Sequence, residues 1–340
     1  MSVYLYTGGL SIVKKSGVGQ AILHQRKVLE TAGIQVDTHL CDSTAAVHIN
    51  TVFPDSVLAA LWAHRHKVKV VYYAHSTMED FRRSFRGSNL LSALFKKWIT
   101  FCYSLGDVIL TPTEYSKRLL ESYGLQKPIY SISNGVDTEQ FYSSAARREA
   151  FRKKYHLSEA EPVVISVGHM IERKGILDYI ALARELPDVR FFWFGHTKSW
   201  LLPGKVREAI KRAPSNLIFA GYIEQEELKN AYCGADLFAF LSREETEGIV
   251  VLEALASEIP VLLRDIPVYE GWLEDGKSVY KAGSKNEFFQ AVTEILGKQR
   301  PELSAVGRKA AEERSLKTVG NQLKEIYVSE KINVNEGGTL

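Results

Sequence analysis

Two successive series of short β-rich runs, each alternating with helical patterns, constrain the fold of this chain more than any other feature. The runs are rich in Val, Ile, Phe and Tyr and do not alternate strictly with polar residues. That composition is typical of parallel strands that helices cover on both faces. The first series extends from Val3 to Ser131 and the second from Val163 to Leu263. Each series predicts an α/β domain with a doubly wound, Rossmann-like parallel sheet.

A charged segment with a helical period, Ser143–Glu161, separates the two series. The chain has 340 residues, which exceeds the length at which one hydrophobic core usually stops growing. We therefore predict an N-terminal domain over 1–150 and a C-terminal domain over 151–316, facing each other across a cleft. Residues 317–340 are predicted to form a helix and a frayed tail. Whether that helix packs back on the N-terminal domain stays open at this point.

Composition excludes several classes of protein. Hydrophobic residues make up 45% of the chain and charged residues 24%, which is typical of globular proteins. The three cysteines are far apart and predict neither a disulfide framework nor a zinc site. Because no Asp-x-Asp triplet or His/Cys cluster occurs, we expect no obligate metal and no other cofactor. The sequence has neither a signal-peptide pattern nor an apolar run long enough to span a membrane, so we expect a cytoplasmic protein.

The most informative motif, Ser242–Ala256, follows a predicted strand and places Glu245 eight positions before Glu253. If Gly248 marks the start of a helix, the backbone N–H groups from Thr246 to Ile249 can face an anion such as a diphosphate. The carboxylates of Glu245 and Glu253 are hydrogen-bond acceptors suited to sugar and ribose hydroxyls. The alternative is a solvated acidic first turn that complements the helix dipole.

A second motif, Gly168–Gly175, follows the first strand of the second series. It ends in the adjacent cations Arg173 and Lys174, which could grip a diphosphate and stabilise a departing nucleotide. An ordinary basic helix start is the alternative. Cations at a helix N-terminus oppose the helix dipole, which favours the functional interpretation.

Three further features lie in the first series. Gly17-Val18-Gly19 opens a helical pattern and is a shortened version of a dinucleotide-binding fingerprint. His75 ends a buried strand, where either a sugar contact or a structural role is consistent with its position. Asn134 belongs to an Asn-Gly pair, which also fits a simple tight turn.

Together these segments resemble family 4 of the retaining glycosyltransferases, which have the two-domain GT-B fold. The resemblance rests on Gly17–Gly19, His75, the Asn-Gly-Val-Asp run at Asn134, Gly168–Gly175 and the Glu245–Glu253 pair, in that order along the chain. It implies that Arg173 and Lys174 bind the donor diphosphate, Glu245 the transferred sugar and Glu253 the ribose. It also implies attack from the front face of the sugar, with no covalent intermediate on the protein.

The resemblance gives two sets of expected residues. The catalytic residues are His75, Arg173, Lys174 and Glu245. The donor-binding residues are Gly17, Val18, Gly19, Asn134, Gly168, Tyr222, Ile223, Thr246, Glu247, Gly248, Ile249 and Glu253. The chain departs from the family at Glu247, where an aromatic residue is usual, and this leaves the preferred sugar open.

A basic and aromatic stretch in the first series points to an acceptor in a membrane. Between Arg65 and Trp98 there are eight Lys and Arg residues against two acidic ones, interleaved with apolar side chains as in segments that lie on anionic membranes. The alternative is that Leu90, Leu94, Trp98 and Phe101 form the core face of an ordinary helix. No motif for nucleic-acid recognition accompanies the charge. The expected membrane contacts are Lys67, Lys69, Arg82, Arg83, Phe85, Arg86, Phe95, Lys96, Lys97 and Trp98.

Within the family, the chain is similar to bacterial synthases that add a second hexose to monoglucosyl-diacylglycerol. That similarity implies a UDP-glucose or UDP-galactose donor, a glycolipid acceptor and a peripheral position on the inner face of the cell membrane. A transferase for capsule or wall polysaccharide, with a soluble or polyprenyl-linked acceptor, stays open as an alternative. So do a GT-B-shaped binding protein without turnover and a sugar-nucleotide epimerase. The oligomeric state is not predicted.

Overall fold

Strands and helices alternate along the first half of the chain. The computed structural model describes residues 2–9, 16–41 and 43–333. The first-half elements are β1 (Ser2–Tyr6), α1 (Gly17–Thr31), β2 (Val36–Asp37), β3 (Thr44–Ile49), α2 (Pro54–Arg65), β4 (Lys69–Tyr73), α3 (Met78–Phe81), α4 (Ser88–Ser104), β5 (Val108–Thr111), α5 (Glu114–Ser122) and β6 (Ile129–Ser131).

The second half repeats the alternation, beginning with a helix. Its elements are α6 (Ala145–Lys154), β7 (Val163–Val167), α7 (Ile176–Glu185), β8 (Arg190–Phe194), α8 (Gly204–Lys211), β9 (Leu217–Gly221), α9 (Gln225–Gly234), β10 (Leu237–Phe240), α10 (Ile249–Ala256), β11 (Val261–Arg264), β12 (Tyr280–Ala282), α11 (Lys285–Leu296), α12 (Ser304–Glu312) and α13 (Leu316–Ser329). Short 3₁₀ turns at Glu172–Lys174 and Ser199–Leu201 precede α7 and α8.

The strands form two separate sheets, each with six strands in the described residues. Their orders are β2-β1-β3-β4-β5-β6 and β12-β11-β10-β7-β8-β9, and the paired strands are parallel. The strand order reverses between β1 and β3 in the first sheet and between β7 and β10 in the second. The predicted pair of doubly wound α/β sheets is therefore confirmed, although β12, which has Lys281 at its centre, was not predicted.

Both faces of each sheet are buried. In β4, Val70 and Tyr72 belong to one core cluster of the first domain, while Val71 and Tyr73 belong to the cluster on the opposite face. Successive residues of a strand point to opposite faces. Two apolar faces thus require two apolar sets of side chains, which explains why the strands show no polar alternation.

The chain crosses between the domains twice. Helix α6 belongs to the second domain, because Phe151 lies in the same core cluster as residues of β7, β8 and β10. The predicted boundary between residues 150 and 151 falls inside this helix, so we propose that the link lies before Ala145. At the other end, Val319 and Leu323 of α13 pack with Val28 of α1 in the first domain. The predicted tail beyond residue 333 lies outside the described residues.

Two properties of the described residues concern membranes and metals. No helix there is both long and apolar enough to cross a bilayer. The same ranges contain no group of three or more His, Cys, Asp or Glu side chains placed to hold a metal ion.

Candidate active site

The loops after β7 and β10 carry the two motifs of the second half. The two strands are neighbours at the point where the order of the second sheet reverses. Ligands of open parallel sheets bind beyond the carboxyl ends of the strands at such points. Both Gly168–Gly175 and Ser242–Gly248 therefore lie where a donor is expected.

Gly175 brings these two loops into direct contact. Its φ is +79°, and a Cβ added there would lie 2.2 Å from the carbonyl oxygen of Leu241. Only glycine combines this backbone conformation with such a close approach. The Arg243 N–H also donates to the carbonyl of Arg173 at 2.7 Å. The turn that carries Arg173 and Lys174 is consequently held against the end of β10.

Lys174 and Glu245 form a buried ion pair at the centre of this contact. The Lys174 Nζ lies 2.5 Å from Glu245 Oε1, and the Ser242 hydroxyl donates to the same oxygen at 2.5 Å. Burial alone would raise the pKa of Glu245, but the charges of Lys174 and Arg173 outweigh it and lower that pKa below its usual value. The carboxylate is therefore ionised at neutral pH.

Arg173 connects the two domains. Its Nη1 lies 2.7 Å from Asp80 Oδ1, and its Nε donates to the Ser84 hydroxyl at 3.0 Å. Within the second domain, Nη1 also donates to the carbonyl of Glu244 at 2.7 Å. An anionic ligand of this guanidinium would compete with the Asp80 carboxylate for Nη1.

The start of α10 lies beside the ion pair. Gly248 is the N-cap with φ +95°, and no side chain caps the helix. The amides in the first turn of a helix have no partner within the helix. Thr246 holds this turn against the first domain, since its carbonyl accepts a hydrogen bond from the Thr113 hydroxyl at 2.9 Å. Gly248 and Ile249 thus present a helix start to the interface between the domains.

The side chain of Glu247 joins the domains instead of facing an open sugar pocket. Its carboxylate accepts hydrogen bonds from the Ser133 hydroxyl at 2.5 Å, the Asn134 amide N–H at 3.0 Å and the Asn134 side chain at 2.7 Å. Burial raises the pKa of Glu247. Asn134 and Glu247, both predicted to bind the donor, therefore bind each other in this structure.

Glu253 occupies a separate buried position one helical turn into α10. Its Oε2 accepts a hydrogen bond from the Tyr232 hydroxyl at 2.9 Å. Burial raises the pKa of Glu253 to about 7. Tyr222 and Ile223 follow β9, the former exposed and the latter partly buried against the core.

The first-domain residues lie at the carboxyl edge of the first sheet. Gly17, Val18 and Gly19 form the first turn of α1, where the Ser16 side chain caps the helix by accepting from the Gly19 N–H. His75 follows β4 and is buried, with its Nε2 2.8 Å from Asn50 Oδ1. Burial lowers the pKa of His75 to about 3, so its imidazole is neutral.

Comparison with known proteins gives the family of this fold and site. The profile of the family described as "Glycosyl transferases group 1" matches residues 147–314. That of "Glycosyltransferase Family 4" matches residues 43–140. A processive diacylglycerol alpha-glucosyltransferase of Acholeplasma laidlawii is 40% identical over 96% of this chain and 98% of that protein. The chain belongs to glycosyltransferase family 4.

Other similar proteins place this glycosyltransferase among enzymes with the same fold. An alpha-galactosylglucosyldiacylglycerol synthase of Streptococcus pneumoniae is 27% identical over 74% of this chain and 68% of that protein. The crystal structure of Anabaena Alr3699/HepE in complex with UDP-glucose has a TM-score of 0.77 at 16% identity, covering 96% of this chain and 99% of that one. The expected GT-B fold and the class of hexosyltransferase are confirmed.

Sequence reasoning missed the first-domain side chains that meet the site of this glycosyltransferase. Asp80 and Ser84 contact Arg173, and the Tyr115 hydroxyl donates to Glu244 at 2.8 Å. Thr77 caps the short helix α3 by accepting from the Asp80 N–H. In the sequence, Asp80 therefore looks like the acidic first turn of a capped helix, and nothing there indicates its partner in the other domain.

The residues predicted to contact a membrane do not form one surface. Lys67 and Lys69 are exposed at the amino end of β4. The basic and aromatic group of the following loop lies beyond the carboxyl end of the same strand, at the opposite edge of the sheet. That group consists of Arg82, Arg83, Phe85 and Arg86, all exposed.

Three other predicted contacts point inward. Trp98 packs against the core, and its Nε1 donates to the carbonyl of Val52 at 2.7 Å. Phe95 stacks on Phe81 with ring centres 4.1 Å apart. Lys96 places its Nζ 4.2 Å from the ring centre of Tyr123. Phe95 and Trp98 are half-buried and pack against the core beneath α4, whereas Lys97 is exposed, and contact of these residues with a membrane stays a prediction.

The alternative interpretation, in which Leu90, Leu94, Trp98 and Phe101 form the core face of α4, holds for Trp98 and is wrong for the other three. Ile99, Cys102 and Tyr103 form its core face. The exposed fractions of Leu90, Leu94 and Phe101 are instead 88%, 67% and 48%. With Leu91 these three residues define an apolar stripe on the outer face of α4. The neighbouring helix of the same core cluster, α2, also exposes Leu58, Leu61 and Trp62.

Proposed function

We propose that this glycosyltransferase moves glucose or galactose from a UDP-sugar to a glycosylated diacylglycerol, with monoglucosyl-diacylglycerol as the favoured acceptor. The observation that carries the proposal is the pairing of two features. A cation cluster suited to a diphosphate lies at the reversal point of the second sheet, and the opposite domain carries the apolar stripe. The names of the Acholeplasma and Streptococcus relatives, both diacylglycerol glycosyltransferases, support the same acceptor class.

Arg173, Lys174 and the start of α10 bind the donor diphosphate in this proposal. Two cations beside the amides of Gly248 and Ile249 supply the charge that a metal ion provides in other transferases, so no obligate metal is expected. The diphosphate takes the place of Asp80 at Arg173. Glu245, held by Lys174, then accepts hydrogen bonds from hydroxyls of the transferred sugar.

The transfer step needs no nucleophile from the protein. An acceptor hydroxyl oxygen forms the bond to the anomeric carbon while the bond from that carbon to the diphosphate oxygen breaks on the same face. The departing phosphate oxygen takes the hydroxyl proton, and the anomeric configuration is retained. His75 is neutral and can hydrogen-bond to the sugar beside the reacting carbon. Lys174 and Arg173 stabilise the charge that develops on the departing UDP.

Glu253 should make UDP binding dependent on pH. In this proposal its carboxylate binds the ribose hydroxyls, and burial raises its pKa in the free protein to about 7. The hydroxyls bind better to the ionised carboxylate, so UDP binding below this pH has to release a proton from Glu253. The affinity for UDP should therefore fall by up to about tenfold for each unit by which the pH decreases. Calorimetric titration with UDP at about pH 8 and about pH 6 measures the effect.

A Glu253→Gln variant is the control for that titration. It binds UDP more weakly at high pH and keeps only the pH dependence that UDP itself causes. If the wild type and this variant show equal changes in affinity with pH, Glu253 does not bind the ribose.

A peripheral position on the inner face of the cell membrane completes the proposal. The apolar stripe would insert among lipid chains, and the nearby cations Arg82, Arg86 and Lys97 would attract anionic lipids. Each basic residue near such a surface contributes about 1 kcal/mol.

Transfer assays test the function directly. The protein is incubated with radiolabelled UDP-glucose or UDP-galactose and monoglucosyl-diacylglycerol in vesicles, and the lipid product is separated. We expect a diglycosyl-diacylglycerol with one of the two donors. Transfer only to a water-soluble glycan would favour polysaccharide synthesis, and tight UDP binding without transfer or hydrolysis would favour a binding protein.

A further inference from the structure

Three buried polar side chains form a hydrogen-bonded chain beside the proposed sugar site. They are Gln25 in α1, Asn50 directly after β3 and His75 after β4. Strands β1, β3 and β4 are neighbours where the order of the first sheet reverses, which is where ligands of such sheets bind. The exposed fractions of the three residues are 4%, 3% and 7%. Of the three, only His75 has a role in the function proposed above.

The Asn50 amide sets the direction of the bonds in this chain. Its Nδ2 donates to Gln25 Oε1 at 2.7 Å. Its Oδ1 is therefore the atom that faces His75, 2.8 Å from Nε2. An amide oxygen can only accept a hydrogen bond. Nε2 of His75 must consequently carry the proton that it donates to Asn50.

The surroundings of His75 keep its ring neutral. Burial lowers the pKa of His75 to about 3, and no charged side chain among the described residues shifts it back. The Tyr73 ring stacks on the imidazole with ring centres 4.4 Å apart, and burial raises the pKa of the Tyr73 hydroxyl, so this neighbour is uncharged. A neutral imidazole protonated at Nε2 has a free electron pair at Nδ1. In the described part of the chain, no protein group donates a hydrogen bond to that atom.

The chain of three side chains is costly for stability. Buried polar groups lose hydration that their hydrogen bonds only partly replace. The Nε2 of Gln25 has no protein partner in the described residues, so Gln25 takes part in the chain through its carbonyl oxygen alone. Apolar side chains would fill the same space at lower cost. The arrangement is therefore better explained by its effect on His75 than by stability.

We infer that Asn50, oriented by Gln25, is a positioning residue that holds His75 with Nε2 protonated and Nδ1 open to accept a hydrogen bond from a hydroxyl of the transferred sugar. This role rests on the sugar contact of His75 proposed above. It assigns Asn50 and Gln25 to the reaction although neither touches the sugar.

An acceptor at this position suits the transfer step. As the bond to the diphosphate breaks, positive charge develops on the anomeric carbon. A neutral Nδ1 holds a sugar hydroxyl without opposing that charge, whereas an imidazolium beside the carbon would repel it. Asn50 also disfavours the second neutral form of the ring, in which Nδ1 carries the proton and no longer accepts.

Asn50→Asp is the most informative variant. Its carboxylate still accepts from Nε2, and the Gln25 amide can turn its Nε2 towards it, so the chain stays paired. The negative charge should raise the pKa of His75 towards about 6.5. Protonated His75 has no acceptor at Nδ1. At saturating UDP-sugar, with acceptor in neutral micelles, the ratio of the variant's kcat to that of wild type should therefore fall about tenfold from about pH 7.5 to about pH 5.5.

Two further variants serve as controls for this pH profile. Adding His75→Gln to Asn50→Asp removes the titrating ring, and the residual transfer should lose the new pH dependence. Tyr327→Phe is the matched control, because His48 is a second buried histidine of the same sheet. Its Nε2 lies 2.6 Å from the Tyr327 hydroxyl, and burial lowers its pKa to about 3 as well. Loss of that hydroxyl should leave kcat and its pH profile unchanged.

The protonation of His75 can be measured without transfer. The chain has nine histidines, and comparison of ¹⁵N NMR spectra of wild type and His75→Gln identifies the His75 signals. At about pH 6 we expect Nε2 protonated and Nδ1 unprotonated in wild type, and both nitrogens protonated in a substantial fraction of Asn50→Asp. Gln25→Leu frees the Asn50 amide to turn over, so part of the His75 signal should shift to the form protonated at Nδ1.

The outcomes separate this inference from the proposed function. Wild-type His75 protonated at Nδ1 would overturn the positioning role, and this measurement needs no Asn50 variant. A folded Asn50→Asp protein with the pH profile of wild type would overturn it too, while transfer by wild type would still support the proposed function. Absence of transfer by wild type at every pH would instead contradict the proposed function itself.

Discussion

Lys174→Ala is expected to lower kcat for hexose transfer by about a hundredfold to a thousandfold, the loss typical when one group that stabilises transition-state charge is removed. The Lys174 ammonium lies beside the expected position of the departing diphosphate and also orients Glu245 through the 2.5 Å contact. Transfer of radiolabel from the UDP-sugar to acceptor in detergent micelles measures the change without a membrane step.

The same substitution should also destabilise the protein. Glu245 would be left buried without its main counter-charge, and removal of one partner from a buried ion pair typically costs about 3–5 kcal/mol. The double variant Lys174→Ala with Glu245→Gln removes the uncompensated charge. We expect it to recover most of the lost unfolding free energy in denaturant titrations while staying inactive.

An exposed ion pair provides the control for this series. Lys285 pairs with Glu185 at the surface of the second domain, and exposed pairs contribute about 0–1 kcal/mol. Lys285→Ala should therefore change neither transfer nor stability measurably. Substantial transfer by a folded Lys174 double variant would remove Lys174 from the proposed mechanism.

Leu90→Asp combined with Leu94→Asp is expected to weaken vesicle binding by at least about a hundredfold. Burying one leucine side chain contributes about 1.5–3 kcal/mol, and the new carboxylates are repelled by anionic lipids. Because both leucines are exposed, stability should stay within about 0.5 kcal/mol of wild type. Sedimentation with phosphatidylglycerol vesicles measures binding, and transfer to acceptor in vesicles should fall in parallel.

Val328→Asp serves as the matched control for the apolar stripe. Val328 is 79% exposed on α13, which packs on the opposite face of the first sheet from α4. This variant should bind vesicles like wild type. Equal losses in both proteins would argue against the stripe as the membrane contact. Loss of activity in micelles as well as in vesicles would assign Leu90 and Leu94 a role other than membrane binding.

Much of the fold could be predicted because it depends on local patterns. The first predicted series ends at Ser131 and the second begins at Val163, and these are the residues at which β6 ends and β7 begins. Runs of apolar residues along the chain mark both strands. The three-residue strand β12 lacks such a run. The predicted domain boundary falls inside helix α6 because most of that helix is charged, and its sequence does not indicate that Phe151 packs in the core of the second domain.

The helix α4 shows where sequence patterns are insufficient. Its apolar residues occupy more than one face, so the periodicity permits either Leu90 and Leu94 or Ile99 and Tyr103 to point inward. Packing against β4 and β5 selects the second set. The exposed stripe and the inward positions of Phe95 and Trp98 follow from that selection and could not be read from composition.

The sequence by itself determined the two parallel sheets and the positions of Gly168–Gly175 and Ser242–Glu253 at strand ends, because these depend on residues close together in the chain. Only the tertiary structure decided the partners across the domains: Asp80 at Arg173 and Asn134 at Glu247. These partners are far apart in sequence. Their contacts form because the two sheets face each other along complementary edges. No local sequence pattern specifies how these two edges pack together.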